Sequence, residues 1–193
     1  MTYTLRSIAF IAFGALLAHS ALALASTARA ASSTLPVPNV AVVDYERVLK
    51  ECEAGKDVVR QIDAYRKEFQ AEVRREEDKL RKVEDELKQQ RATLPPDDFD
   101  KKRRAFEDRV ITLQRRAQDS VRALESTFQE SINKIHDMLL PQLEELTRKQ
   151  GYNVVIDKTK VAIVLKTLDV TEEAIAALNK KVPKLKVAKP TIK

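Results

Sequence analysis

The sequence predicts an α+β protein, mostly α: a long antiparallel helical hairpin, a coiled-coil arm, projecting from a small β-body that forms by oligomerisation. Three observations carry this expectation. The 193-residue chain is 33% charged and only 5% aromatic, with no Trp and three Gly, a profile of long helix rather than of an average compact enzyme domain. From Glu51 to Gln150 the only glycine is Gly55, charge of both signs is dense, and apolar residues recur at helical spacing. Short β-branched runs occur only outside this stretch, and they are too few to build a core alone.

Residues 1–30 read as a signal peptide. Arg6 is the positive n-region, Ile8 to Leu17 the apolar h-region, and Ala28-Arg29-Ala30 satisfies the small-x-small cleavage rule, with cleavage after Ala25 as the second option. The apolar run is short for a membrane span and ends in small residues. Cleavage places the mature chain in the periplasm and lowers the formal charge from +6 to +4 by removing Arg6 and Arg29. A mildly basic exported chain suits partners with acidic surfaces and argues against nucleic acid.

Residues 31–37 form a linker. Residues 38–50 open the body, with a strand at Asn39-Val-Ala-Val-Val-Asp44 that is apolar on both faces, followed by a transition into helix. Cys52 is the sole cysteine, so any disulfide would need a second chain; a buried inert thiol is the expected state.

Residues 51–150 form the arm. The outgoing helix, about Glu53 to Leu94, carries Val58, Ile62, Tyr65, Phe69, Val73, Leu80, Val83, Leu87 and Leu94. Its steps are threes, fours and sevens, and the stretch from Phe69 to Leu80 spans eleven residues, the pattern of a seam with a stutter. The tip is 94–98, where Pro95-Pro96 ends the helix and Asp97 or Asp98 caps the next. The returning helix starts near Phe99, and from Leu113 its apolar residues step four, four, three: Ala117, Val121, Leu124, Phe128, Ile132, Ile135, Leu139, Leu143 and Leu146. Pro141 falls level with Glu51 and marks the expected root of the arm. Gly151 is expected to stop this helix in the left-handed region.

Residues 151–182 complete the body: a second strand at Asn153–Asp157, a third at Val161–Leu165 antiparallel to it, and a short helix capped by Thr171 with Ile175 and Leu178 facing inward. Residues 183–193 carry four lysines and no acid and read as a basic disordered tail. The two body segments are too small to be stable alone and leave apolar sheet edges, so several subunits are expected to merge their sheets. Val40, Val42, Val154, Ile156, Val161 and Ile163 are the candidate oligomer core.

Catalytic chemistry is not visible. His136 lies alone on the returning helix, Cys52 has no neighbouring His, and there is no phosphate loop, HExxH or Cys cluster. No enzyme activity, metal or cofactor is expected. The strongest charge run is Lys101-Lys102-Arg103-Arg104 just past the tip, with Lys88 and Arg91 opposite. These six are the candidate contact for an acidic client or an anionic membrane surface, against a background of Asp97, Asp98 and Asp100.

Several stretches resemble the Skp/OmpH family of periplasmic chaperones: VAVVDYERVL at the first strand and helix, ECEAGKDV at the start of the arm, KQGYNVVIDKTKVAIVL after it, and DVTEEAIAALNK near the end. The likeness runs through the mature chain to about Lys181, and the arm matches in character only. The resemblance implies a jellyfish-like homotrimer that binds unfolded outer-membrane proteins between its arms without ATP and prevents their aggregation; some members are linked to lipopolysaccharide. It supplies no catalytic residues. An adaptor coiled coil of the cell envelope, binding a folded partner or an anionic surface, is the alternative reading.

Overall fold

A computed structural model describes residues 36–192; the stretch expected to be a signal peptide and most of the expected linker lie outside the described residues. The fold is mostly helical with a small strand pair. In chain order it has β1 (Val40–Val43), α1 (Tyr45–Glu51), α2 (Glu53–Gln90), α3 (Pro96–Gln150), β2 (Val154–Asp157) and α4 (Thr171–Lys181). Two single 3₁₀ turns, Lys158–Lys160 and Lys166–Leu168, lie between β2 and α4.

α2 and α3 are the long elements, with 38 and 55 residues, or about 57 and 82 Å at the helical rise. They are antiparallel neighbours: Lys102 Nζ donates to Gln90 Oε1 at 2.7 Å near the turn, and Arg116 pairs with Glu72 at 3.0 Å further down. The seam buries Val58, Ile62, Phe69, Leu80 and Leu87 of α2 against Leu124, Ile135, Leu139 and Leu143 of α3. It is narrower on α3 than the apolar stripe suggests. Val121 is 63% exposed, while Ser120 and Ser131 are buried in its place. Each serine satisfies its hydroxyl on the carbonyl four residues back, Arg116 and Thr127, both at 2.7 Å.

The tip differs from expectation in its mechanism. α2 ends at Gln90, before the prolines, and Thr93 and Leu94 fold back onto the Gln90 carbonyl. Pro95 is the N-cap and Pro96 the first residue of α3, with no side-chain cap from Asp97 or Asp98. Proline suits this position because its fixed φ is helical and the missing N–H would have been unpaired anyway. α3 remains helical through Pro141, whose side is exposed. Gly151, at φ 77°, caps α3 in the left-handed region as expected.

The two ends of the chain meet around β1. Its strand pairs in parallel with β2, Val40 opposite Val154 through Val43 opposite Asp157. Its other edge accepts the Val170 N–H at Val42 O, 2.9 Å, and bridges to Asp169. The expected third strand is absent: residues 161–165 are coil, with Ile163 89% and Leu165 69% exposed. A β-branched run makes a strand only where an edge accepts it, and within one chain the open flank of β1 is taken by Asp169–Val170.

Asp44 caps α1 through Arg47 N (2.9 Å) and donates its own N–H to Thr171 Oγ1 at 3.0 Å. Thr171 is therefore not a cap but a buried tie, and Val170 is the residue before α4. Asp169 accepts from Thr171 N (3.1 Å) and from its hydroxyl, and pairs with Lys158 at 2.7 Å. Burial opposes the Asp169 charge, but Lys158 and the two Thr171 donors outweigh it and hold the carboxyl down to about 2.

α1 and α2 meet at a sharp corner. Cys52 closes α1 by donating to Val48 O, then caps α2 by accepting from Gly55 N with its sulfur at 3.2 Å. Asn179 of α4 accepts the Glu53 N–H at 2.7 Å. The corner is tight: a Cβ on Gly55 would lie 1.9 Å from the Leu49 carbonyl oxygen.

The expected disordered tail is instead an extended strap along α2. Val187 is 3% exposed, Leu185 and Ile192 pack on the core, and Lys189 pairs with Glu68 at 2.5 Å. A lysine-rich composition misleads here because alternate residues are apolar.

Two measurements test this fold. Gly55→Ala is expected to destabilise by about 2–3 kcal/mol in urea unfolding, because backbone must move to admit the methyl; a loss below ~0.5 kcal/mol would refute the tight corner. The Asp169 carboxyl falls from its ordinary 3.8 to about 2, so its contribution of about 2 kcal/mol is complete above pH ~4 and lost as pH falls through ~2. Asp169→Asn should be less stable than the parent at pH 7 and lack that acid-side slope; parallel curves would count against the lock.

Candidate functional site

The residues expected at the tip are brought together, but most are spoken for. Lys88 pairs with Glu84 (2.9 Å) and Asp85 (3.4 Å), Lys101 with Asp98 (3.5 Å), and Arg103 with Glu107 (2.6 Å) and Asp100 (3.5 Å). Lys102 is held by Gln90. The carboxylates of Glu84, then Asp85, raise the Lys88 pKa, and Glu107 does the same for Arg103. Arg91 and Arg104 form no ion pair with any described carboxylate. Pairs three or four apart on a helix are what this spacing produces, and at the exposed surface each contributes little.

The candidate oligomer residues divide into two groups. Val40 and Val42 of β1 stand opposite Val154 and Ile156 of β2, so all four share one face of the strand pair. The other face carries Ala41, Val43 and Val155 into the helical core. Val42 is 2% exposed, whereas Val154 at the sheet edge is 38% exposed. Val161 and Ile163 lie in the coil after β2, Val161 half-buried and Ile163 standing clear.

A further surface emerges that residue patterns alone did not mark. Along the hairpin near its root, Val59, Ile62, Val121, Leu124 and Phe128 line an open groove of about 470 Å³, edged by Asp63, Arg66 and Glu125. Val59 is 47% exposed. The signal was present in the α3 stripe: Val121 fits the helical repeat yet exceeds what one partner helix can cover. On the opposite side of the hairpin the corresponding groove is occupied by the strap of residues 185–192.

Nothing in the described residues offers catalysis. No group of three or more His, Cys, Asp or Glu among them could hold a metal ion. His136 lies against Tyr45 with the rings tilted by 40° and their centroids 5.8 Å apart. The Cys52 thiol is free and buried, and burial pushes its pKa up, away from a reactive thiolate. No described helix is long and apolar enough to cross a membrane.

Comparison with known proteins fits this picture. The family model described as outer membrane protein (OmpH-like) matches residues 39–178. A crystal structure from Caulobacter crescentus, described as an OmpH-like outer membrane chaperone, superposes with a TM-score of 0.76 at 19% identity, over 81% of this chain and 93% of that one. Likeness at this identity is one of fold. No curated protein matches the sequence.

The groove and the seam predict opposite responses. Val121→Asp should change stability by less than ~0.5 kcal/mol because the side chain is solvated. Leu124→Ala, three residues on and 6% exposed, should cost about 2–4 kcal/mol. Equal losses in chemical denaturation would place Val121 in the core instead.

Proposed function

The chain belongs to the OmpH-like family, a family of chaperones and not of enzymes, and on that footing we infer that it is an ATP-independent holdase for unfolded outer-membrane proteins in the periplasm. The observation that carries this reading is the open groove of the hairpin. Val59 and Val121 present apolar surface between charged rims at a place where nothing among the described residues covers it. A groove of this kind offers many weak contacts and no enclosed pocket, which suits a chain without fixed structure. Weak, distributed contact also permits release with no energy source.

The body supports a second part of the reading: self-association, with three copies as the number the family resemblance implies. β2 is an uncovered edge strand, and Val154, Ile163 and Leu165 leave apolar surface around it. An open edge flanked by apolar side chains is a template for pairing with another copy. Residues 161–165, coil in the single chain, would gain a strand partner there. Copies joined through their bodies would set their hairpins side by side as arms around a shared space. Three of the six tip cations are paired with neighbouring acids and a fourth is held by Gln90, which favours the groove over the tip as the principal contact.

The test is aggregation of a β-barrel protein diluted from urea. The purified mature chain should suppress light scattering at about one assembly per client. Val59→Asp with Val121→Asp should weaken client affinity roughly tenfold, about 1.4 kcal/mol, with the far-UV spectrum intact. Unchanged scattering with the parent protein would reject the holdase role. Sedimentation separately tests the assembly: a stable monomer at micromolar concentration would reject the shared body.

A further inference from the structure

The strap at the C-terminus is bound in a manner that reads main chain more than side chain. Gln61 donates Nε2 to the Leu185 carbonyl at 2.8 Å and accepts the Val187 N–H on Oε1 at 3.0 Å, so one side-chain amide supplies a full rung of a β-ladder. Asp57 Oδ2 takes a further Nε2 hydrogen bond, 2.9 Å, and fixes the amide orientation. Tyr65 donates its hydroxyl to the Val187 carbonyl at 3.1 Å. Val187 is inserted, and Lys189 reaches Glu68 while lying 5.8 Å over the Phe69 ring.

Those partners ask little of the sequence they hold. They require an extended backbone, apolar side chains at two alternate positions, and a cation two residues on. Hydrogen bonds to backbone confer affinity for any such segment, as when a peptide adds to a sheet edge. The strap's anchors are few: Val187 and Pro190 are buried, Leu185 and Ile192 half-buried, three hydrogen bonds reach its backbone and its ion pair is exposed, all standing against the ordering of the whole tail. Pro183 and Pro190 reduce that ordering cost without adding a donor. Such a balance allows exchange.

We propose that the face of α2 from Gln61 to Phe69 is a binding site for an extended peptide with alternating apolar residues followed by a cation. The chain's own residues 185–189 fill it in the absence of a competitor, and a segment of that pattern in an unfolded client displaces them. The client half of the proposal rests on the holdase reading; the peptide half does not. Occupancy by the tail is then a brake that only an unfolded chain of suitable pattern removes, and the charge pair makes it weaker at high salt.

The test uses the full mature chain and a fluorescent peptide copying residues 183–193. Val187→Asp should free the site, so the peptide should bind this variant at least tenfold more tightly than the parent, by anisotropy. Adding Gln61→Ala should abolish the gain. If Val187→Asp misfolds, Lys189→Glu, an exposed change that sets like charge against Glu68, should give the same direction. Hydrogen exchange at the backbone amide of position 187 should be slow in the parent and fast in both variants. Equal peptide affinity for parent and freed variants, or a gain that survives Gln61→Ala, would overturn the site. Tighter peptide binding with no change in affinity for an unfolded β-barrel protein would overturn the client half alone. Absence of client binding by every form, with the peptide result intact, would sink the holdase reading and leave the peptide site standing.

Discussion

Every part of this molecule depends on residues from opposite ends of the chain meeting at β1. One edge of that strand is served by Val154–Asp157 and the other by Asp169–Val170. Asp44, which starts the first helix, gives its N–H to Thr171. Closing a loop of more than a hundred flexible residues costs entropy that a four-residue strand pair cannot return. The cost falls because the loop is not flexible. Two stiff helices, joined at a turn that proline fixes, carry the distant segment back to within reach of the first. The hairpin is thus as much a requirement of the body as an appendage to it.

The hairpin itself is held by its seam and not by its charges. Most ion pairs lie within one helix, at three- or four-residue spacing, as in Asp63–Arg66, Glu76–Lys79 and Glu145–Lys149. Each helix therefore makes most of its ion pairs within itself, and Arg116–Glu72 is the pair that links the two helices among the described residues. Ser120 and Ser131 replace larger residues in the seam, and their hydroxyls are settled on their own backbone. The apolar surplus moves to the flanks, where Val59 and Val121 line an open groove on one side. The other side is closed by the tail. A hairpin with one open and one filled groove has a polarity that symmetric helical spacing would not suggest.

Much of the fold was legible in the residues, and the failures have physical causes. The strand at Val40–Val43, the long helices and the Gly151 cap follow from local preference, and local preference decided them. Pro95-Pro96 signalled the tip, but proline's advantage in the first helical turn made it the start of α3, not the end of α2. The run Val161–Leu165 has strand composition, yet within the single chain it stays coil and leaves the outer edge of β2 unpaired. Thr171 has cap chemistry, yet its hydroxyl is taken by Asp44 and Asp169 across the body. The tail reads as disordered from its lysines; what orders it is Gln61 and Tyr65, more than a hundred residues earlier, an arrangement no local window contains. For the candidate site, the cations at the tip were visible as a run, whereas their pairing and the openness of the groove are properties of packing.

Cys52 joins two helices at a corner that a glycine keeps close, and it does so with a buried sulfur where serine, threonine or aspartate is the usual choice. A thiol in this place is sheltered from oxidants and alkylating reagents for as long as the corner is shut, and its raised pKa slows any attack further. Modification of this thiol therefore requires the corner to open, and with slow labelling its rate reports the fraction of time the junction between body and hairpin stands open.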